Sequence, residues 1–263
     1  KKIEKFSFKN KAEIDKAMEE VKSKNFNIND ISSKVVNRNP SGPFTTSTLQ
    51  QVSSGRLGFG ASRTMQIAQK LYQGIEIDGE TIGLITYMRT DGTNLSTDAI
   101  DTFRKYIKNE FGDEYVPDNA ASYSGKKAKN AQEAHEAIRP TDIMRAPDTV
   151  KKYLSPDQHK LYDLIWSRAL SSQMKPAQFD RNTITITSDD NGTICKASGS
   201  VIKFDGFLKV MKDNKKDDDE DILPEMNKGP VNIESLLDEQ HFTQPPPRYS
   251  EASLVKKLEE LGI

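Results

Sequence analysis

The chain of 263 residues has only one cysteine, Cys195, and no apolar run near the length of a membrane span. One cysteine excludes an internal disulfide framework and a zinc site built from several cysteines. A transmembrane helix needs about 20 consecutive apolar residues, and no secretory leader pattern is visible. These absences predict a protein of a reducing cytoplasm with no membrane contact.

A strong net charge is absent as well, because the formal charge is −1. The segment 213–221 contains six acidic residues and two lysines, so the rest of the chain carries +3. Such a mild excess is not the electrostatic footprint of a protein that coats duplex DNA. We interpret the acidic run as a solvated loop. Hydrophobic residues make up 35% of the chain, and its length allows one large domain or two medium ones.

Apolar residues recur at helical spacing in several segments, and serines suited to capping precede three of them. Ser155 is followed by Pro156 at the first helical position and by Gln158, which predicts a capping box. The predicted helices cover 13–21, 64–73, 97–112 after Ser96 or Thr97 as the cap, 156–169, and 251–261 after Ser250 as the cap.

Strict alternation over Thr183–Thr187, a turn at 189–192 and looser alternation to Phe204 predict a β-hairpin. Further strands are expected at 207–211 and 231–235. The sequence therefore predicts an α+β fold. Its expected domains are a β-rich one from 1–48 plus 174–240, a mainly helical one inserted at 49–173, and the start of a further helical one at 241–263.

The most informative segment runs from Gly83 to Gly92 and contains Tyr87, Arg89 and Asp91 after the apolar pair Leu84 and Ile85. A phenol beside a guanidinium is what a nucleophile needs to attack a phosphodiester, because the arginine can neutralise the phosphate. A tyrosine at the end of a strand is, however, more often a half-buried amphipathic side chain.

A second segment, 132–139, places His135 and Arg139 four residues apart, so that on a helix they would share a face. Glu133 and Glu136 lie beside them, but one histidine without further spaced ligands is a weak metal site. Two interpretations stay open at this point. The segment is either a surface helix with internal ion pairs or a histidine and arginine that together contact a phosphate or a base.

Two further segments carry arginines next to helix boundaries. Arg248 follows three prolines and precedes a predicted helix, whose free amides could bind phosphate. The alternative is a polyproline linker that leads into a capped helix. Arg56 begins a glycine-rich basic turn that lacks the glycine spacing and lysine of a P-loop.

Four segments together resemble the signature motifs of type IA DNA topoisomerases, in their order along the chain. They are Pro43-Phe-Thr-Thr-Ser-Thr-Leu-Gln50, Thr86-Tyr-Met-Arg-Thr-Asp91, Ala134-His-Glu-Ala-Ile-Arg-Pro140 and Arg248-Tyr-Ser-Glu-Ala-Ser-Leu-Val255. Met88 after the tyrosine resembles the bacterial topoisomerase I branch, since topoisomerase III usually has proline there. The resemblance runs from about Gly42 to the end.

The resemblance implies a role for each matching residue. Tyr87 would attack a backbone phosphorus of single-stranded DNA and stay joined to the 5′ end, with no need for external energy. Arg89 would hold the scissile phosphate, while Asp91 and His135 would orient the site. The residues implied in DNA binding are Arg56, Arg139, Arg248, Tyr249, Ser250 and Ser253.

The resemblance also implies what else the enzyme needs. Family members bind Mg²⁺ in an N-terminal acidic domain, and no Asp-x-Asp-x-x-Gly-Glu segment occurs here. We therefore expect a monomeric fragment that is inactive without the missing domains of its polypeptide and holds no metal. The β-rich domain resembles the arch on which the tyrosine domain swings, in an enzyme of the bacterial nucleoid.

One departure from the family pattern is Gly92, where many members have serine. A loop position needs no hydroxyl for the chemistry, so we expect the change to be tolerated. The competing hypothesis is a non-enzymatic single-stranded nucleic-acid binding module, in which Tyr87 stacks on bases.

Overall fold

The computed structural model describes residues 8–123, 136–211, 223 and 226–261. The chain divides into two compact units. Unit 1 comprises Lys1–Val36, Gln178–Lys203 and Asn214–Pro246, and unit 2 comprises Asn37–Ala177, Phe204–Asp213 and Pro247–Ile263. The described part is α+β, as the sequence predicts.

Unit 1 contains α1 (Lys11–Lys22), β1 (Phe26–Arg38), β4 (Ala177–Ser188), β5 (Ile194–Phe204) and β6 (Gly229–Val231). Its strands form one four-stranded sheet with the order β5-β4-β1-β6. The short strand β6 pairs with the start of β1 in antiparallel register, with Ile28 opposite Gly229. The predicted hairpin is confirmed as β4 and β5.

The turn of this hairpin is closed by local side-chain hydrogen bonds. The Gly192 amide donates to the Asp190 carboxylate (2.9 Å), and the Thr193 amide donates to the Ser188 hydroxyl (3.0 Å). Lys24 forms an ion pair with Asp190 (3.0 Å). Hydrogen bonds from Ser188, the Gly192 amide and Lys24 lower the pKa of Asp190, so the turn contains a fixed negative charge.

Unit 2 is mainly helical. Its helices are α2 (Thr46–Leu57), α3 (Ala61–Gln73), α4 (Thr97–Phe111), α5 (Pro147–Val150), α6 (Pro156–Ser171) and α7 (Glu251–Leu261), with a two-stranded ribbon of β2 (Ile75–Ile77) and β3 (Glu80–Ile82). Helix α4 begins after Ser96 as its cap. Helix α6 begins with the predicted capping box, in which the Ser155 hydroxyl and the Gln158 side chain each bind the other residue's amide.

Helix α6 forms the centre of the hydrophobic core of unit 2. Leu161, Tyr162 and Ile165 are fully buried on it. The Tyr162 hydroxyl donates to the Arg145 carbonyl (2.7 Å), and the Trp166 indole donates to the Ile143 carbonyl (3.0 Å). The Tyr162 hydroxyl and the Trp166 indole N–H thus attach the loop at 143–145 to the core, because a buried donor of either kind requires an acceptor.

Two expected strands are wrong in whole or in part. Residues 207–211 do not form a strand, since a 3₁₀ helix covers Gly206–Lys209. Gly206 turns the chain with a φ of 48°, which places the Phe207 amide against the Lys175 carbonyl at 3.0 Å. The strand expected at 231–235 ends at Val231, and residues 232–240 have no regular structure. The acidic run at 213–221 lies outside the described residues.

Several elements have no counterpart in the sequence prediction, and the two longest of them are β1 and α2. Strand β1 is exposed along most of its length, so it lacks the clean alternation that marks a half-buried strand. Helix α2 consists largely of serine, threonine and glutamine and buries only Leu49 and Ser53. No helix in the described part of the chain combines the length and apolar character needed to cross a membrane.

Gly206→Ala should destabilise unit 2 by about 1–3 kcal/mol, because φ is positive there and the new Cβ would meet backbone oxygens. Those oxygens, of Pro176 and Lys175, would lie 2.5 and 2.6 Å from it. Urea unfolding followed by fluorescence of Trp166, the single tryptophan, measures this loss. Gly55→Ala is the control, since Gly55 lies in α2 with open space around it. Equal stability of the two variants would contradict the prediction.

Candidate active site

The segment that contains Tyr87 alternates between buried and exposed residues. Leu84 and Ile85 are buried, and Ile85 forms an isolated antiparallel bridge with Pro140. Beyond them Met88 and Thr90 face the interior, whereas Tyr87, Arg89 and Asp91 are exposed. Tyr87 is 48% exposed. The three residues with candidate chemistry therefore lie on the solvent side of one short segment.

Thr46, the first residue of α2, binds this segment on both sides of Arg89. Its hydroxyl lies 2.8 Å from the Met88 carbonyl oxygen and 3.1 Å from that of Thr90, and it accepts a hydrogen bond from the Thr90 amide (2.8 Å). The Thr46 amide donates to the Thr90 carbonyl (2.8 Å). One hydroxyl uses both its donor and its acceptor capacity here.

Thr86 makes a second attachment immediately before Tyr87. Its hydroxyl donates to the Ala137 carbonyl (2.7 Å) and accepts from the Arg139 amide (3.0 Å). Its own amide donates to the Arg139 carbonyl (2.9 Å). The motif at 136–140 thus pairs with the backbone that leads into the tyrosine.

The Tyr87 ring packs against Tyr72 near the end of α3, with ring centroids 5.4 Å apart in an edge-to-face arrangement. The backbone also passes close to the end of α3 at Gly83, where a side chain would not fit because its Cβ would lie 2.6 Å from the Tyr72 carbonyl oxygen. The Leu84 amide also donates to the Leu71 carbonyl (2.7 Å). The C-terminal part of helix α3 therefore packs against the segment that contains Tyr87.

Arg139 is engaged within the protein. Its guanidinium binds both carboxylate oxygens of Glu136, at 2.7 and 3.0 Å, and donates to the Pro140 carbonyl at 2.9 Å. Residues 136–140 do not form the surface helix of the first interpretation, since Glu136, Ile138 and Pro140 form isolated β-bridges with Asn94, Phe44 and Ile85. The ion pair is present, but on extended backbone.

The Glu136 carboxylate balances the positive charge of the Arg139 guanidinium. Partial burial would raise the pKa of its carboxyl, but the Arg139 guanidinium and the Ser96 amide, which donates at 2.9 Å, outweigh burial and lower that pKa below its ordinary value. Glu136 therefore connects Arg139 to the start of α4 as a charged group.

The other predicted site residues are placed separately. His135 lies outside the described residues. In the part of the chain that the structure describes, the side chains of Arg89 and Asp91 form no hydrogen bond or ion pair. Arg56 lies exposed in the last turn of α2.

The segment that begins at Arg248 meets the opposite end of α3. Ser250 and Ser253 form a reciprocal cap at the start of α7, with the Ser250 amide donating to the Ser253 hydroxyl (2.8 Å). Arg248 and Tyr249 are exposed. The Glu251 carboxylate accepts from the Ala61 amide (2.8 Å) at the first turn of α3. Ala61 and Tyr72 are about 16 Å apart along the helix axis.

The two attachments of the tyrosine segment join three of the four motifs, and the fourth packs on α3. The whole chain, residues 1–263, matches the family model for DNA topoisomerase. The chain belongs to the DNA topoisomerase family.

Relatives in this family match all or nearly all of the chain. The DNA topoisomerase 1 of Rickettsia felis is 50% identical over 266 residues, which cover 100% of this chain and 34% of that protein. The DNA topoisomerase 1 of Xylella fastidiosa is 47% identical over 260 residues, or 96% of this chain and 32% of that protein. The chain thus spans about a third of the length of these curated relatives.

A solved structure resembles the whole chain as well. Full-length topoisomerase I from Thermotoga maritima is 37% identical, with a TM-score of 0.80, and the match covers 100% of this chain and 41% of that one. This similarity supports the α+β fold of the present chain.

Sequence reasoning missed two residues that organise the site, Thr46 and Thr86, and named Glu136 only as one possible partner in an ion pair. Thr46 and Thr86 each lie inside a recognised motif, which was the available signal, but their partners are distant in the chain. Thr46 binds residues more than 40 positions away, and Thr86 binds residues more than 50 away.

Glu136→Gln should lower the free energy of unfolding by about 1–2 kcal/mol at pH 7, because it leaves Arg139 without its carboxylate. Since folding lowers the pKa of Glu136, its contribution is full above the unfolded pKa and is lost as pH falls through the folded one. The difference from wild type should therefore shrink below about pH 4.

Urea unfolding at several pH values measures this difference, with the exposed Glu80→Gln as the control. A Glu136→Gln deficit that stays constant down to pH 3 would show that the charge of Glu136 is not what stabilises the site.

Proposed function

We propose that this chain is the tyrosine-bearing part of a longer type IA DNA topoisomerase, which relaxes negatively supercoiled DNA through a transient break in one strand. The observation that carries the proposal is the segment at 86–91. Its backbone is held by Thr46 and Thr86, while Tyr87, Arg89 and Asp91 are exposed to solvent. Rigid backbone with exposed reactive groups is what positioning a phosphodiester requires.

In the proposed reaction the Tyr87 phenol oxygen attacks a backbone phosphorus. A bond forms between that oxygen and the phosphorus, the bond from the phosphorus to the 3′ oxygen breaks, and the phenol proton leaves as the 3′ oxygen gains one. The protein is then joined to the phosphate at the new 5′ end, on the piece that carries the original 3′ end. Attack by the 3′ hydroxyl reverses the step, so the phosphodiester energy is kept and no ATP is used.

Arg89 and Asp91 have different proposed roles. The Arg89 guanidinium, exposed two residues after the tyrosine, would neutralise the phosphate in the transition state. Asp91 would orient the site together with His135. Arg139 would act through the backbone, since its guanidinium is occupied by Glu136 and Pro140, and DNA contact by that guanidinium would require this pair to open.

The remaining assignments concern other parts of the polypeptide. We assign unit 1 as the β-rich arch and unit 2, apart from α7, as the inserted domain that carries the tyrosine. Exposed Arg248 and Tyr249, with Ser250, Ser253 and Arg56, would contact a single strand of DNA. As the family resemblance implies, the proposed enzyme is a monomer of the bacterial nucleoid.

Magnesium would be bound elsewhere. Among the described residues no group of three or more His, Cys, Asp or Glu side chains could hold a metal ion, so these residues do not fit a Mg²⁺ site. The proposal places the ion in a domain of the complete polypeptide outside this chain, and the chain alone is proposed to be inactive.

Tyr87→Phe in the complete polypeptide should abolish covalent labelling by a single-stranded oligonucleotide that carries its label at the 3′ end. In the proposed reaction the phenol oxygen of Tyr87 forms the phosphotyrosine bond, and phenylalanine lacks that oxygen. Label retained on denatured protein, with Mg²⁺ present, is the measurement.

Tyr72→Phe is the matched control, because Tyr72 is also exposed and its ring contacts the Tyr87 ring. It should keep the label. If wild type and Tyr87→Phe both bind DNA but neither retains label, the enzyme hypothesis is wrong. The chain would then be a single-stranded nucleic-acid binding module.

A further inference from the structure

We propose that Thr46 is a positioning residue for the cleavage reaction, acting through the backbone on either side of Arg89. This inference rests on the proposed function, because it concerns how the same site holds the scissile phosphate. Among the described residues, the hydrogen bonds of the Thr46 hydroxyl reach neither the side chain of Tyr87 nor that of Arg89. Its hydroxyl bonds to the peptide groups of Met88 and Thr90.

The hydroxyl is placed to hold three consecutive residues in one conformation. It lies 2.8 Å from the Met88 carbonyl oxygen and 2.8 Å from the Thr90 nitrogen, and Arg89 is the residue between them. Met88 is 4% and Thr90 7% exposed. Water therefore has little access to replace these bonds, and a buried amide without an acceptor is costly.

Thr46 is itself anchored rigidly. Thr45 and Thr48 form a capping box at the start of α2, with hydrogen bonds of 2.9 and 3.2 Å. The Ile138 amide donates to the carbonyl of buried Phe44 (2.8 Å). The Arg168 guanidinium lies over the Phe44 ring, 4.8 Å from its centroid.

The consequence for catalysis is geometric. Arg89 has an exposed side chain with no partner among the described residues, so the direction of that side chain depends on its backbone. A hydroxyl that fixes the backbone on both sides limits where the guanidinium can reach. Loss of that hydroxyl should therefore slow bond cleavage more than it weakens DNA binding, because binding uses many other groups.

The test compares Thr46→Val, which removes the hydroxyl at nearly constant volume, with Thr46→Ser, which keeps it, in the complete polypeptide. Single-turnover formation of the covalent adduct at saturating 3′-labelled oligonucleotide should slow about 10- to 100-fold in Thr46→Val. Thr46→Ser should restore the rate to within about threefold of wild type. The dissociation constant, measured by fluorescence anisotropy in a Tyr87→Phe background, should change by less than about threefold.

Ser155→Ala is the control for a general loss of stability. It removes a side-chain cap from α6 and leaves the segment at 86–91 untouched. Its adduct rate should equal that of wild type. A Thr46→Val rate equal to wild type, a Thr46→Ser rate as slow as that of valine, or equal slowing in Ser155→Ala would each overturn the proposal.

A second measurement judges Thr46 independently of activity. Amide hydrogen exchange of this chain should show the Thr90 amide protected in wild type and exchanging faster in Thr46→Val. Rapid exchange of Thr90 in wild type would refute the positioning role even if Thr46→Val does not fold. Should wild type form no covalent adduct, the proposed function fails, while the exchange result still decides whether Thr46 holds this backbone.

Discussion

The contact between Thr46 and Thr90 is the constraint on which the candidate active site depends. Two hydrogen-bonding groups of one threonine, its amide and its hydroxyl, satisfy the polar backbone of a segment that turns Met88 and Thr90 inward. The inward residues can be buried only because their peptide groups have partners. Burial of these two residues leaves Tyr87, Arg89 and Asp91 on the outside, where a substrate can reach them.

This contact is connected to the hydrophobic core through a continuous series of bonds. Tyr162 and Trp166 of α6 hold the carbonyls of Arg145 and Ile143. The preceding stretch pairs with the tyrosine segment, where the Thr141 amide donates to the Leu84 carbonyl (3.0 Å) and the Arg139 amide to Thr86 (3.0 Å). The conformation around Tyr87 is therefore an extension of the packing of α6. Such a fixed backbone would suit the proposed attack of Tyr87 on a phosphorus atom.

Local signals in the sequence predicted those elements whose causes are local. The capping box at Ser155 and Gln158 and the caps at Ser96 and Ser250 each involve residues three apart, and all three appear in the structure. Helix α2 and strand β1 carry weak periodicity because little of either is buried. The strand expected at 207–211 is absent because Gly206 and the Lys175 carbonyl redirect the chain, and that carbonyl comes from a distant segment.

The sequence by itself determined the family, through four ordered motifs, and the chemical groups that the site offers. The tertiary structure decided what those groups do within the fold. It placed the Arg248 segment against the far end of α3 and made Thr46 and Thr86 the attachments of the tyrosine segment. The physical reason is separation along the chain: bonds between residues 40 or more positions apart leave no local pattern, and they form only when the core brings their elements together.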